Sequence, residues 1–411
     1  MGGRFKLVTL LGIRPDLIRM HKLIRLLDRH QRGNGYAHVF AHTGQHYDYE
    51  LDEVFYKQLG VRRPDVNLRV GKTLKRRGGP TTYAHQTALL FERLAGFFED
   101  EKPDAVLYLG DTNTVLSSIV AARQGIPVIH IEGGGRSYDW RMPEEKNRIV
   151  IDHLSDMIYC YLPRYRDILL REGVPSYRIQ VVGNLIVDAI DDYLPEAERS
   201  GIMERLGVRP REFVLFTLHR EENTADPVAL ARTIKALARL TARLRCPAVF
   251  PVMPRVRRLL LAERLPPVLK RAKIIETGPL GFLEFLKLER NATLIISDSG
   301  TVQEEALILG TPCLVARRST ERPETIRAGA TVLSEEHLYE EALRALRTLK
   351  RWDRTVLNPF RTSPSERIFR DLVKKINTGF FKKSRSYAFI KNDRLIREAY
   401  GRINRHAVGA S

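Results

Sequence analysis

The sequence predicts an α/β protein of two doubly wound domains facing each other across a cleft. Short apolar runs alternate with segments of helical periodicity along most of the chain, the pattern of parallel sheets covered by helices. That alternation halts in a polar stretch at residues 195–211 and restarts at residue 213. A length of 411 residues also exceeds what one ordinary core organises. The expected layout is a first domain over 1–195, a second over 205–375, and a basic tail over 379–411.

Residues 5–11 (FKLVTLL) read as the first strand, and Gly12-Ile13-Arg14-Pro15-Asp16 turns into a helix. A second strand covers 36–42, followed by Thr43-Gly44-Gln45-His46-Tyr47-Asp48 and a helix to residue 59. Residues 62–80, basic and interrupted by Gly and Pro, read as an exposed loop, and 81–98 as a helix. Residues 105–136 (AVLYLGDTNTVLSSIVAARQGIPVIHIEGGGR) are the organising unit. Apolar runs at 105–109 and 126–131 flank a helix with Val115, Ile119, Val120 and Ala122 on one face, a βαβ signature. Further strands are expected at 157–161 and 179–182, then at 213–217, 248–251, 273–276, 293–297 and 312–316, separated by helical stretches.

The formal net charge of +19 points to an anionic partner without choosing among nucleic acid, membrane surface and phosphorylated metabolite. Cys160, Cys246 and Cys313 are scattered without metal spacing, as for reduced core residues of a cytoplasmic protein. The apolar run at the start is cut off by Gly12-Ile13-Arg14-Pro15, which favours a first strand over a signal peptide. In the tail, Ile390, Leu395, Ile396, Ala399, Tyr400 and Ile403 have helical spacing among many Lys and Arg residues. It has two readings, contact with an anionic membrane or RNA, and packing on its own or a partner domain, the second being favoured.

In parallel sheets, ligands sit beyond the carboxyl ends of the strands. Asp111 and Glu132 fall at two such ends, and Glu144 follows in Pro143-Glu144-Glu145, so three carboxylates are expected at one cleft mouth. Structural roles compete: Asp111 could cap a helix, and Glu144 and Glu145 suit a first helical turn after Pro143. Glu132 is the sharper signal, because Gly133, Gly134 and Gly135 beside it let backbone approach a ligand closely. Arg14 and Arg19 sit near a strand-to-helix turn suited to phosphate. His219, before Arg220, ends a strand where it could donate to a phosphate oxygen or serve as a structural histidine. In Asp298-Ser299-Gly300-Thr301-Val302-Gln303-Glu304-Glu305, the N–H groups of Ser299, Gly300 and Thr301 suit an anion, and Glu305 suits ribose hydroxyls. An ordinary capped helix is the alternative there. Arg317, Arg318 and Arg322 add cations. A nucleoside diphosphate carrying a group that needs acid–base chemistry fits both halves.

Gly12-Ile13-Arg14-Pro15, Thr43-Gly44-Gln45-His46, Gly110-Asp111-Thr112, His130-Ile131-Glu132, Met142-Pro143-Glu144-Glu145-Lys146-Asn147-Arg148, Thr217-Leu218-His219-Arg220, Asp298 to Glu305 and Thr320-Glu321-Arg322-Pro323-Glu324 occur in that order. Together they resemble the non-hydrolysing UDP-N-acetylglucosamine 2-epimerase family over about residues 5–375. The resemblance implies a GT-B arrangement of two Rossmann-like domains, no metal or nicotinamide cofactor, a UDP-sugar substrate and a homodimer. It implies removal of the sugar C2 proton as UDP departs from C1, giving 2-acetamidoglucal, and re-addition with a proton delivered to the opposite face. Asp111, Glu132 and Glu144 are then the acid–base candidates, mutual repulsion raising their pKa values. His219 and Arg14 would stabilise the departing diphosphate. Ser299, Gly300, Glu305 and Arg322 would hold diphosphate and ribose, with Phe282 or Phe285 stacked on uracil.

Three departures stand out. The family's Glu-Ala-Gly-Leu-Arg is Glu132-Gly133-Gly134-Gly135-Arg136 here, which predicts an unusually permissive loop. A histidine of its Pro-Val-His-Pro segment is Met253, which argues against activation by a second UDP-sugar. Its Asn-Pro-Tyr-Gly-Asp-Gly appears as Asn358-Pro359-Phe360-Arg361-Thr362-Ser363. The rival readings are an epimerase of a modified UDP-sugar, a hydrolysing epimerase that releases UDP, and a GT-B glycosyltransferase. A nucleic-acid-binding protein is disfavoured, since neither an aromatic RNA motif nor a recognition-helix pattern is present.

Overall fold

The structure is a computed structural model that describes residues 4–45, 53–77, 82–218, 221–224, 226–334 and 336–384. Two compact units emerge, one of Met1–Asp188 with Phe360–Ser411, the other of Ala189–Pro359. Among the described residues, no helix is long and apolar enough to cross a membrane.

Among the described residues, the first unit holds a seven-stranded parallel sheet in the order β3-β2-β1-β4-β5-β6-β7. Its strands are β1 (Phe5–Leu11), β2 (Tyr36–His42), β3 (Val66–Asn67), β4 (Ala105–Leu109), β5 (Val128–Ile131), β6 (Met157–Cys160) and β7 (Ile179–Val181). Every residue of β4 and β5 is buried, as a parallel sheet covered on both faces requires. The order reverses between β1 and β4, so the turns after Leu11 and Leu109 flank the switch point where such sheets bind ligands.

The second unit repeats the plan with β8 (Val214–Thr217), β9 (Ala248–Pro251), β10 (Ile274–Thr277), β11 (Leu294–Ser297), β12 (Cys313–Val315) and β13 (Thr331–Leu333), ordered β10-β9-β8-β11-β12-β13. Successive side chains of a strand point to opposite faces. Val214 and Phe216 accordingly join the core on one side, while Phe213 and Leu215 join the core on the other.

Several expectations are corrected. Residues 62–80 are not simply an exposed loop: β3 pairs with β2, and Val70–Arg77 is a helix. Val70 and Leu74, one turn apart, pack that helix on the core. The segment 195–211 is not one linker, since a helix runs through Pro195 to Ala197 and a short one spans Ile202–Leu206. The unit boundaries differ as well, falling at Asp188 and Phe360 rather than near 195 and 375. The returning helix Pro364–Asn377 buries Ile368, Leu372 and Ile376. It is tied to the first unit by Tyr159 donating to Asp371 at 2.9 Å and the Ser365 N–H donating to Asp188 at 2.8 Å. The tail begins with the helix Phe380–Ser384, whose Phe381 is buried against Phe5, ring centroids 5.9 Å apart. Its remainder, from residue 385, lies outside the described residues.

Candidate active site

In the first unit, three motifs recognised in the sequence meet at adjacent strand ends. The turn at Gly12 after β1 packs so closely on Thr114 that a Cβ there would lie 1.9 Å from its Oγ1. Thr114 reaches Thr43 after β2 at 3.0 Å and donates to Gln45 at 3.2 Å. The β4 turn passes through Gly110 at φ +72°, a conformation glycine adopts without cost. A Cβ on Gly110 would stand 3.5 Å from both Arg19 Nη2 and Glu132 Oε2, so this turn lies directly over the Arg19–Glu132 pair.

Asp111 comes next. Its Oδ2 accepts from Arg148 Nε at 2.9 Å and Nη2 at 2.6 Å, and its carbonyl accepts from Asn147 at 2.9 Å. Both partners sit on the helix Pro143–Leu154. Arg148 also pairs with buried Glu145 at 2.5 Å. Glu145 in turn accepts from the Ser137 N–H at 3.0 Å and the Tyr138 N–H at 2.9 Å, fixing the preceding loop. Glu144 is half-buried on the same helix and, among the described residues, makes no hydrogen bond or ion pair.

Glu132 ends β5 at φ +79°, a left-handed conformation that costs a residue with a Cβ roughly 1–2 kcal/mol. Its N–H donates to Tyr159 at 2.8 Å, its carboxylate pairs with Arg19, and Tyr161 donates to it at 3.3 Å. Arg19 also pairs with Asp16 at 3.2 Å, so one guanidinium serves two buried carboxyls. Burial pushes the Asp16 carboxyl up to about 6, against the pull of Arg19 and the Gly12 N–H. Asp111 and Glu132 therefore each face an arginine instead of one another's bare charge.

The loop after Glu132 is packed, which corrects the expectation of a permissive one. A Cβ on Gly133 would lie 2.3 Å from Ile158 and 2.6 Å from Asp152; one on Gly134, at φ +84°, would lie 2.5 Å from the Tyr165 carbonyl. Behind it, Asp152 faces His130 Nδ1 at 2.8 Å, Arg136 at 2.7 Å and the Gly134 N–H at 3.0 Å. Burial alone would raise the Asp152 pKa, but His130 and Arg136 outweigh it and hold it below the usual carboxylate range. The other ring nitrogen of His130 donates to the Gly110 carbonyl at 2.8 Å, linking this cluster to the Asp111 turn.

In the second unit, β11 leads through Asp298 and Ser299 into the helix Gly300–Leu309. The Ser299 side chain makes no capping bond, and Thr301 is half-buried in the first turn. Glu321, paired with Arg317 at 3.1 Å, lies so near Gly300 that a Cβ there would meet its Oε1 at 2.3 Å. Arg322 pairs with Glu304 at 2.7 Å, and Thr320 donates to Gln303 at 2.9 Å, stapling the 320–324 loop to this helix. Glu305 is buried one residue further on. Phe282 stands edge-on to Tyr193, centroids 5.8 Å apart, and Phe285 packs against the core, so both rings have protein partners already. Arg14 opens the helix Arg14–His30 of the first unit and is half-buried. His219, expected to assist the diphosphate, lies outside the described residues.

Residues 28–371 match the sequence profile described as UDP-N-acetylglucosamine 2-epimerase. The chain belongs to the UDP-N-acetylglucosamine 2-epimerase family. A UDP-N-acetylglucosamine 2-epimerase of Methanocaldococcus jannaschii is 38% identical over 376 residues, covering 90% of this chain and 99% of that protein. The crystal structure of the Methanocaldococcus jannaschii UDP-GlcNAc 2-epimerase in complex with UDP-GlcNAc and UDP matches with TM-score 0.79 at 36% identity, covering 90% of this chain and 100% of that one. The UDP-2,3-diacetamido-2,3-dideoxy-D-glucuronate 2-epimerase of Pseudomonas aeruginosa is 35% identical over 332 residues, covering 80% of this chain and 88% of that protein. The two parallel-sheet units are thus the GT-B-like architecture of this epimerase family.

Against that family background, three residues of the first unit gain importance that the strand-end reading had not given them. Asp16 is buried through a helix-start position, where an acid reads as a cap. Arg148 and His130 hydrogen-bond to Asp111 and to the Gly110 carbonyl across sequence separations that no local pattern reveals.

Proposed function

We propose that the chain is an isomerase interconverting UDP-N-acetylglucosamine and UDP-N-acetylmannosamine without net hydrolysis. The observation that carries this reading is the placement of Asp111 and Glu132 at neighbouring strand ends, each paired with its own arginine. Inversion at C2 needs proton transfer on two faces of the sugar, and two separately held carboxylates supply two acid–base groups. One takes the C2 proton, the C–H electron pair becomes the C1=C2 bond of 2-acetamidoglucal, and the C1–O pair leaves with UDP. Re-addition runs the same steps backward with the proton delivered to the opposite face. Glu144 stands as the third candidate, Arg14 and His219 as the groups that receive the diphosphate, and Ser299, Gly300, Thr301, Glu305 and Arg322 as nucleotide contacts.

The test is incubation with UDP-N-acetylglucosamine in deuterium oxide. Appearance of the manno epimer with deuterium at C2 and no accumulating free UDP supports the reading. UDP and free N-acetylmannosamine as the main products would replace it with a hydrolysing epimerase. A second reading, epimerisation of a modified UDP-sugar, draws on the 35% identity to the diacetamido-glucuronate enzyme, and parallel assays with both sugars separate the two. A cytoplasmic homodimer is carried with the proposal and is checked by light scattering.

A further inference from the structure

The helix Phe282–Asn291 carries a carboxyl that none of the chemistry above uses. Glu289 is fully buried, and neither of its oxygens accepts a hydrogen bond from any N–H or O–H group among the described residues. Its neighbours Leu288 and Ala292, and Val302 and Ala306 on the Gly300–Leu309 helix, belong to an apolar core cluster. An isolated carboxylate in such a setting is strongly disfavoured. Among the described residues, the carboxyl of Glu305 on the packed Gly300–Leu309 helix faces it at hydrogen-bonding reach. Two carboxylates are both acceptors, so their contact is favourable only with a proton between them. Burial, with the adjoining Glu305 charge, raises the Glu289 pKa well above the ordinary glutamate value. Other charged or titratable groups nearby do not replace that proton. Cys313 on β12 is buried and itself shifted up, Arg290 donates to the Leu309 carbonyl, and Arg322 is paired with Glu304.

We propose that a protonated Glu289 donates a hydrogen bond to the Glu305 carboxylate and so positions it to accept from the ribose hydroxyls of the bound nucleotide. Glu289 is a positioning residue: it sits behind Glu305 and takes no part in bond making. The proton keeps the pair at a single negative charge next to a ligand that brings a diphosphate of its own. A carboxylic acid kept neutral by an apolar site so that it can donate has precedent in enzyme chemistry. Above the pair's upper titration a second charge forms, the Glu289 donor to Glu305 is lost, and nucleotide affinity falls. This inference rests on the reading of Glu305 as a ribose contact.

The experiment measures UDP and 2′-deoxy-UDP binding by calorimetry from neutral to alkaline pH on the full chain, comparing wild type, Glu289→Gln, Glu289→Leu and Glu305→Gln. Glutamine retains a neutral donor and is expected to bind UDP within about twofold of wild type with the alkaline decline removed. Leucine lacks the donor and is expected to weaken UDP about tenfold, raising KM while leaving kcat near wild type. An infrared carboxylic-acid C=O band present in wild type and absent from Glu289→Gln reports the proton directly. Equal losses in Glu289→Gln and Glu289→Leu with an unchanged pH profile, or absence of that band, would overturn the proposal. If Glu305→Gln leaves both UDP affinity and the preference over 2′-deoxy-UDP intact, the ribose reading itself has failed. If Glu305→Gln weakens UDP and Glu289→Leu does not, only the present inference has failed.

Discussion

Arg148 grips Asp111 with two nitrogens on one oxygen, Nε at 2.9 Å and Nη2 at 2.6 Å, both to Oδ2. The Oδ1 oxygen takes no hydrogen bond among the described residues, and the side chain is about a quarter exposed, so one face of the carboxylate is held while the other stays open to a proton. Lysine offers one ammonium in place of this planar fork and cannot serve Asp111 and Glu145 together. On the acid–base role proposed for Asp111, Arg148→Lys is expected to lower kcat about 10–100-fold, the cost of misplacing such a group, with UDP binding near wild type. A parallel loss of UDP affinity in calorimetry would assign Arg148 to the nucleotide instead.

The two carboxylates named in the proposed function give the most direct test of it. Asp111→Asn and Glu132→Gln preserve shape and most hydrogen bonds while removing the ability to take a proton. Each is expected to lower turnover by roughly 10²–10⁴-fold with little change in UDP binding. Solvent deuterium exchange at C2 separates their roles. A variant that retains exchange into one epimer but not the other has lost the acid–base group for a single sugar face.

Asp16 predicts a pH dependence of stability. Its carboxyl is raised from 3.8 to about 6 on folding, so between those values the folded state holds a proton that the unfolded chain has released. Stability from this group is fully present below pH 3.8 and is lost as pH rises through about 6, a change of about 3 kcal/mol. Asp16→Asn cannot ionise and is expected to flatten that stretch of the profile. Urea denaturation at several pH values from 4 to 7 reads the difference between the two slopes. Identical slopes would mean that Asp16 shares its proton with the Arg19–Glu132 pair and does not titrate alone.

Much of this was legible in the sequence because parallel α/β domains announce themselves locally. An apolar run such as 105–109 followed by Gly110-Asp111 states both a strand and the end at which ligands bind. The buried side chains of β4 and β5 and the proximity of Gly110 to Glu132 follow from that pattern. Pairings across the chain were not legible. Nothing near Arg148 says that it reaches back to Asp111, and nothing near Ile368, Leu372 and Ile376 says which sheet their helix covers. The edge strand Val66–Asn67 is two residues long, too short for an apolar run or an alternation to show, so its composition reads as loop. The triple glycine misled for a related reason: glycine can mean freedom or lack of room, and only the neighbours decide.

Those neighbours make a last, contrasting pair of predictions. At Gly133, a methyl group would press within 2.3 Å of Ile158 in buried β6 and 2.6 Å of Asp152, whose carboxylate is fixed by His130 and Arg136. None of these can yield without disturbing either the core or the buried ion cluster behind the Asp111 turn. Gly133→Ala is therefore expected to destabilise the protein by about 1–3 kcal/mol, the usual cost of overpacking, and to lower kcat through the displaced Glu132. Gly96 is exposed within the helix Tyr83–Glu101, and a Cβ there meets nothing within 4 Å. Gly96→Ala is expected to stabilise by roughly 0.5–1 kcal/mol through helix propensity and a less flexible unfolded chain, with unchanged kcat. Thermal unfolding of the two variants should move in opposite directions. If Gly133→Ala unfolds with wild-type stability, Ile158 and Asp152 have room to shift, and the loop beside Glu132 is as accommodating as its three glycines first suggest.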